Sequence, residues 1–398
     1  MAFNFATKVP QNQTMFNFTT VPPLSLYIHI PWCVRKCPYC DFNSHQLRGV
    51  IPVQKYIEAL LVDLEQDLPK VHGRTVHSIF IGGGTPSLLA AKMIEYLLLE
   101  IRTRIPIAPE AEITLEANPG TKNHLHEFKQ AGINRLSLGI QSFDTESLQR
   151  LGRIHGSNEA KDAIKAARQA GFMNVNLDLM FGLPMQTIEA ALLDLSTAIV
   201  YQPTHLSWYQ LTIEPNTLFH QQPPLLPNDD LIWEIQIAGQ EYLQTQGYVQ
   251  YEVSAYAKPQ RQCHHNLNYW KFGDYLGIGA GAHGKISDVK RGIITRLVKQ
   301  TSPDIYLQYT VKTYSSTCLR VKDVILEFML NALRLLEGFT GAEFEENTGL
   351  AFACIDEPLQ QAYALGWLTK SEETAIQRIY PTEIGMQYLN DLLELFDL

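Results

Sequence analysis

Residues 24–42 read LSLYIHIPWCVRKCPYCDF: a short apolar run that breaks at Pro31 into a loop carrying Cys33, Cys37 and Cys40. The 398-residue chain has only 6 cysteines, and half of them fall within this one loop. So sparse a supply excludes a secreted disulfide scaffold and predicts a reduced, cytoplasmic protein. Three thiolates at CxxxCxxC spacing can take three corners of an iron–sulfur cube, because a tight loop lets the chain wrap one face of the cluster. A structural zinc wants a fourth Cys or His, and a lone CxxC pair points to redox chemistry. Three ligands leave one iron open, and an open iron is a place to bind and activate a substrate.

Outward from this loop, apolar runs alternate with amphipathic segments. After LSLYIHI come VHSIFIGGG, EITLEANPG, RLSLGIQS, NVNLDLMFGLP and HLSWYQLTIEP, separated by helix-period stretches such as VQKYIEALLVDLEQDL and IEAALLDLSTAIV. Strand alternating with helix predicts parallel βαβ units, and near-continuous apolar strands predict a sheet covered on both faces. Six units fit between about residues 24 and 220, fewer than the eight of a closed barrel, so an open partial barrel is expected. In such folds functional groups gather at the strand C-termini. The cysteines follow the first strand, GGGTP the second, Glu116 lies on the third, Gln141 ends the fourth and Asp178 falls on the fifth.

Residues 1–23 read as a flexible extension that lacks the apolar core of a signal peptide. Residues 221–318 begin with the linker PPLLPNDD and a helix closed by Gly247, then run into the Gly- and His-rich stretch CHHNLNYWKFGDYLGIGAGAHG. Residues 319–398 predict two or three helices and a small hairpin, like a winged-helix module. The net charge of −9 argues against a nucleic-acid partner and makes this tail a packing domain. No apolar run approaches the roughly 20 residues that span a bilayer.

GGGTP alone is a weak signal. Gly82, Gly83 and Gly84 suit a tight turn, with Thr85 as helix N-cap and Pro86 at the first helical position; the same turn allows close backbone approach to a ligand. Glu116, Gln141, Asp178 and Arg153 are polar residues in or beside apolar strands, where they need partners. A structural network would satisfy them, and so would a ligand, since carboxylates suit ribose hydroxyls or an ammonium group and Arg suits a carboxylate.

In order, YIHIPWCVRKCPYCDFNSH, GGGTPS, LEANP, GIQSFD, LGRIH and LDLMFGLP resemble the HemN/HemW group of the radical S-adenosylmethionine (SAM) superfamily. The resemblance covers almost everything after residue 24. It implies an α/β fold in which a radical-SAM partial (β/α)6 barrel precedes a mainly helical, winged-helix-like C-terminal domain. It also implies a [4Fe–4S] cluster on Cys33, Cys37 and Cys40, whose open iron chelates SAM and whose electron splits a carbon–sulfur bond of that cofactor. By the same resemblance Tyr27, Gly83, Gly84, Thr85, Glu116, Gln141, Arg153 and Asp178 line the SAM site, and Tyr39 offers its backbone near the adenine.

The group's coproporphyrinogen dehydrogenases carry a further Cys two positions after the third; here that position is Phe42. Residues 265–270, HNLNYW, match a motif of the heme-chaperone branch. The resemblance therefore implies a protein that binds heme and passes it to heme-accepting proteins, with oxygen-independent coproporphyrinogen III dehydrogenase as the alternative. His265 is the expected heme-binding residue, since imidazole is the commonest axial ligand of heme iron and aromatic neighbours pack on a porphyrin. His264, Cys263 and His283 are the alternatives, and the blander reading has His265 hydrogen-bonding a turn while Tyr269 and Trp270 fill the core. An electron donor for the cluster, peripheral contact with membrane-bound recipients and a homodimer complete the expected partners.

Overall fold

The computed structural model describes residues 16–371 and 377–397. Six parallel strands follow the apolar runs: β1 (Leu24–Ile30), β2 (Val76–Gly83), β3 (Ile107–Ala117), β4 (Arg135–Gln141), β5 (Val175–Phe181) and β6 (His205–Gln210). They lie side by side in chain order, each next to its predecessor as βαβ crossovers dictate. Leu26 pairs with Ile79, and Leu136 with Val175. Leu24, Leu26, Ile28 and Ile30, every second residue of β1, are all buried, and full burial of such side chains contributes about 1.5–3 kcal/mol each; Ser25 and His29 on the other face are buried as well.

The helices lie where the helix-period segments predict them. Val53–Asp67 buries Tyr56, Ile57, Leu60, Leu61 and Leu64, a stripe at the helical repeat. Asp229–Thr245 opens with the Asn228 side chain accepting from the Leu231 amide at 3.0 Å and has acidic Asp229 and Asp230 in its first turn, both suited to a helix N-terminus.

Residues 249–318 extend the same sheet at both edges. Here lie β7 (Val249–Glu252), β8 (Ala255–Ala257), β9 (Asp274–Ile278), β10 (His283–Asp288), β11 (Ile293–Lys299) and β12 (Thr313–Cys318). The sheet runs β12-β11-β10-β9-β1-β2-β3-β4-β5-β6-β8-β7, and among the described residues its two ends do not pair with each other. β9 is parallel to β1, whereas β10, β11 and β12 continue antiparallel. The extension is locked down by a buried ion cluster. Lys299 donates to Asp63 at 2.5 Å and Asp67 at 2.6 Å, and Tyr306 donates to Asp63 at 2.7 Å.

The C-terminal unit has helices Val321–Ala332, Gly341–Thr348 and Asp356–Ala364 with a three-stranded antiparallel sheet of Phe339–Thr340, Arg378–Pro381 and Leu368–Lys370. Its core, built around Phe328, Phe339 and Phe344, is distinct from the main core of the large sheet but takes in Ile294 of β11. Phe16 and Phe18 belong to this core, at 5% and 9% exposure, and the Asn17 amide donates to the Gly349 carbonyl at 2.7 Å. This corrects the reading of residues 16–23 as a loose extension: burial of two aromatic side chains and a backbone bond to Gly349 offset the segment's loss of freedom. Residues 1–15 lie outside the described residues. No helix among the described residues is long and apolar enough to cross a membrane.

Candidate functional site

The cysteine loop is held against the end of β1. Trp32–Cys33 pairs with His45–Gln46, and the Leu47 amide donates to the Cys33 carbonyl at 2.8 Å. The amides of Gly84 and Thr85 donate to the carbonyls of Ile30 and Trp32 at 2.7 and 2.8 Å, so the turn after β2 is bonded onto the root of the loop. A Cβ at Gly84 would lie 2.5 Å from the Trp32 oxygen and 3.0 Å from Cys33 Sγ. The glycine is what allows this approach.

Cys33, Cys37 and Cys40 are free thiols on the wall of one cavity of about 660 Å³. Burial raises the pKa of Cys33 and of Cys40, opposed by hydrogen bonds from Thr85 to the first and from Ser44 to the second. Among the described residues no His, Cys, Asp or Glu group of three is gathered tightly enough for a single metal ion. Three thiols on one cavity wall suit a cluster, whose separate irons each take one thiolate. Ligation would take their protons.

Thr85 corrects one expectation. It precedes a short 3₁₀ turn, Pro86–Leu88, but its side chain caps no amide. Its hydroxyl accepts from Asn118 Nδ2 at 3.0 Å, and Asn118 Oδ1 accepts from Arg153 Nη2 at 2.5 Å. Arg153 also donates to the Gly139 carbonyl at 2.8 Å and reaches Cys37 Sγ from Nη1 at 3.5 Å. Three strand ends are thereby tied to the cysteine loop. Arg153 Nε is buried without a partner among the described residues, a donor that a ligand oxygen would satisfy.

Glu116 accepts from the Gly83 amide at 3.0 Å. Together with the two bonds to the loop, this leaves none of the Gly83, Gly84 and Thr85 amides free. Burial first and the neighbouring Asp178 second push the Glu116 carboxyl up to about 8, against the Gly83 bond. Asp178 accepts from Ser137 at 3.0 Å and Asn176 at 2.8 Å, yet burial still raises its pKa. Gln141 holds a left-handed backbone at φ 68°, and its side-chain oxygen accepts from Tyr209 at 2.7 Å.

These residues share one space. Cys33, Cys37, Tyr39, Cys40, Gly83, Gly84, Thr85, Glu116, Gln141, Arg153 and Asp178 all line the 660 Å³ cavity. Tyr27 and His265 line a second, of about 820 Å³. The two adjoin, because Asp41, Phe42, Glu116, Asp178 and Trp270 border both. Phe42 stands at this boundary with 58% of its surface exposed.

His265 is only 1% exposed. Its Nδ1 is 2.9 Å from Ser78 Oγ and its Nε2 2.9 Å from Tyr269 Oη, and its ring stacks on Phe80 at 5.1 Å. Burial, then Arg135, pushes its pKa down to about 3. As folded, it offers no free ring nitrogen. Cys263 is sealed from solvent, its thiol pushed up to about 12 chiefly by burial. His264 is exposed but borders neither cavity, whereas His283 is exposed and borders the larger.

Sequence reasoning gave no role to Asn118, Tyr209 or His29. Asn118 sits inside LEANP, at the strand-end position where a polar side chain can reach its neighbours. His29 is buried at the end of β1, 2.9 Å from both Tyr27 Oη and the Asn43 carbonyl; its only signal is a polar residue in an apolar run.

Residues 27–195 match the family model of the radical SAM superfamily, and residues 319–387 that of the HemN C-terminal domain. A solved structure of coproporphyrinogen III oxidase (HemN) from Escherichia coli shares the fold with a TM-score of 0.78, at 24% identity over 95% of this chain and 90% of that one. The chain is 52% identical to heme chaperone HemW of Escherichia coli, covering 94% of this chain and 98% of that protein. It is 51% identical to heme chaperone HemW of Haemophilus influenzae over the same shares. With such likeness along nearly the whole length, the chain belongs to the HemW family of the radical SAM superfamily.

Proposed function

We propose that the protein is a cytoplasmic heme chaperone that carries a [4Fe–4S] cluster on Cys33, Cys37 and Cys40, binds SAM beside it, and holds heme for delivery to recipient hemoproteins. The observation that carries this reading is full-length likeness to proteins named heme chaperones. Two features support it: Phe42, rather than a thiol, borders both cavities, and the larger cavity has aromatic walls of porphyrin-compatible chemistry.

When bound, the cluster would supply an electron and an open coordination site for SAM. This chain's residues bind and orient. Glu116, protonated near neutral pH, and Asp178 offer oxygens to hydroxyls or an ammonium group. Arg153 offers its unpartnered Nε to a carboxylate, and Asn118 fixes the guanidinium. The reading includes an electron donor for the cluster and recipients in solution or at a membrane; sedimentation of the heme-loaded protein tests for a homodimer.

The deciding experiment is to reconstitute the protein anaerobically and assay it with heme and with coproporphyrinogen III, reductant and SAM. Stoichiometric heme binding, transfer to an apo-hemoprotein and no porphyrinogen conversion are expected. Porphyrinogen turnover would replace this reading with the dehydrogenase. Cluster absorption should vanish in Cys37→Ala and persist in Cys318→Ala.

A further inference from the structure

Heme iron takes its axial ligand from a His, Cys, Met or Tyr side chain whose lone pair the cargo can reach, most often a His. Three histidines border the 820 Å³ cavity: His29, His265 and His283. That volume lies within the ~300–1,000 Å³ range of small-molecule and cofactor pockets. His29 and His265 are buried, and each has both ring nitrogens in hydrogen bonds. His283 is exposed, and its ring forms no hydrogen bond with the described residues. The cavity's phenols are poorer ligands. Tyr27, Tyr269 and Tyr275 are each hydrogen-bonded and held protonated by burial.

The register of the antiparallel strands puts further chemistry beside His283. His283 pairs with Val298 and Lys285 with Arg296, so His283, Lys285 and Arg296 share one face of the sheet, with Arg296 on the diagonal from His283. Arg296 donates to Glu327 and to Tyr275 Oη, which leaves guanidinium hydrogens spare for a carboxylate. Lys285 is buried on Asp274 and is not available. Trp270 borders both cavities, and its indole N–H is buried without a partner among the described residues.

Resting on the chaperone reading, we propose that heme occupies the larger cavity with the His283 imidazole on its iron, its macrocycle against Trp270 and one propionate toward Arg296. His265 is then a positioning residue, joining Ser78 of β2 to Tyr269 in the cavity wall.

The test uses full-length protein carrying its cluster, titrated with ferric heme and followed by absorption and electron paramagnetic resonance. His283→Gly should weaken binding by at least about tenfold, the scale of losing even a partner behind a metal ligand, and should abolish the imidazole-ligated spectrum. Free imidazole should restore that spectrum in His283→Gly. A merely structural role would not respond to it. His265→Ala should keep the ligation signature, and Arg296→Gln should weaken heme with esterified propionates less than native heme. An unchanged spectrum and affinity in His283→Gly would overturn the assignment while leaving the chaperone reading intact. Wild-type protein that binds no heme at stoichiometric amounts would overturn both.

Discussion

Arg153 stands 3.5 Å from the Cys37 sulfur through Nη1 while its Nη2 is held by Asn118 at 2.5 Å. The guanidinium is therefore aimed at the cysteine loop by a residue that itself touches no thiol. Asn118→Ala removes the brace and leaves Thr85 and Arg153 each short of a bond, at a cost of about 1–3 kcal/mol in stability. Cluster content should survive, since all three thiols remain, while the change that SAM produces in the reduced cluster's paramagnetic spectrum should weaken. A double-mutant cycle with Arg153→Gln checks the coupling; additive effects would mean that Asn118 does not act through Arg153.

Glu116 makes the apoprotein sensitive to pH in an unusual direction. Its carboxyl is pushed from 4.5 up to about 8, so the folded state holds this proton more tightly than the unfolded chain does. Its contribution to stability is fully present below about 4.5 and is lost as pH rises through about 8. Glu116→Gln keeps an acceptor for the Gly83 amide without the titration. Denaturant unfolding of both proteins at pH 5 and pH 9 should show the wild type losing more stability than the variant over that interval. Equal losses would show that the Glu116 proton is not retained on folding.

How much was legible in the sequence differed by the kind of signal. β1 and the loop after it were readable because Leu24–Ile30 is buried on both faces and the thiols recur at a spacing with few chemical uses. β9 was not readable. Its segment DYLGI is short, and its Gly277 is required by space rather than hydrophobicity: a Cβ there would lie 1.8 Å from the His283 carbonyl oxygen. HNLNYW placed an imidazole among aromatic rings correctly, but no spacing rule tells which ring nitrogens are already bonded. Ser78 lies 187 residues from His265 in sequence, and only folding brings them together. Phe16 and Phe18 were missed for the same reason, since most of the core they join is built from residues more than 300 positions away.

The buried ion cluster makes a second demand on pH. Lys299 neutralises Asp63 and Asp67, all three without solvent exposure or nearly so. Lys299→Met should destabilise the protein by about 3–5 kcal/mol at neutral pH, because Asp63 is left buried without a counter-charge and Asp67 keeps only Lys70. Burial already raises the Asp63 pKa, and Lys299 is the chief force lowering it. Without the lysine that carboxyl rises further, so the variant should regain part of its stability as pH falls and Asp63 takes up a proton. Thermal unfolding at pH 7 and pH 5 measures this; a deficit independent of pH would mean the loss is one of packing alone.

The closest backbone approach at the cysteine loop gives the sharpest steric test. At Gly84 a methyl group would meet the Trp32 carbonyl at 2.5 Å, and that oxygen already accepts the Thr85 amide at 2.8 Å. Neither partner can retreat cheaply, because both are backbone bonded to backbone at the end of a buried strand. Gly84→Ala should therefore push the loop root away from the turn, displacing Cys33, whose sulfur also lies 3.0 Å from that methyl group. The expected result is a folded protein by circular dichroism with reduced iron and sulfide after reconstitution. Gly156→Ala is the control, since a methyl group there meets nothing within 4 Å, and it should load as the wild type does. Normal cluster content in Gly84→Ala would show that the loop tolerates displacement at its root, and that the thiols are positioned from the Arg153 side instead.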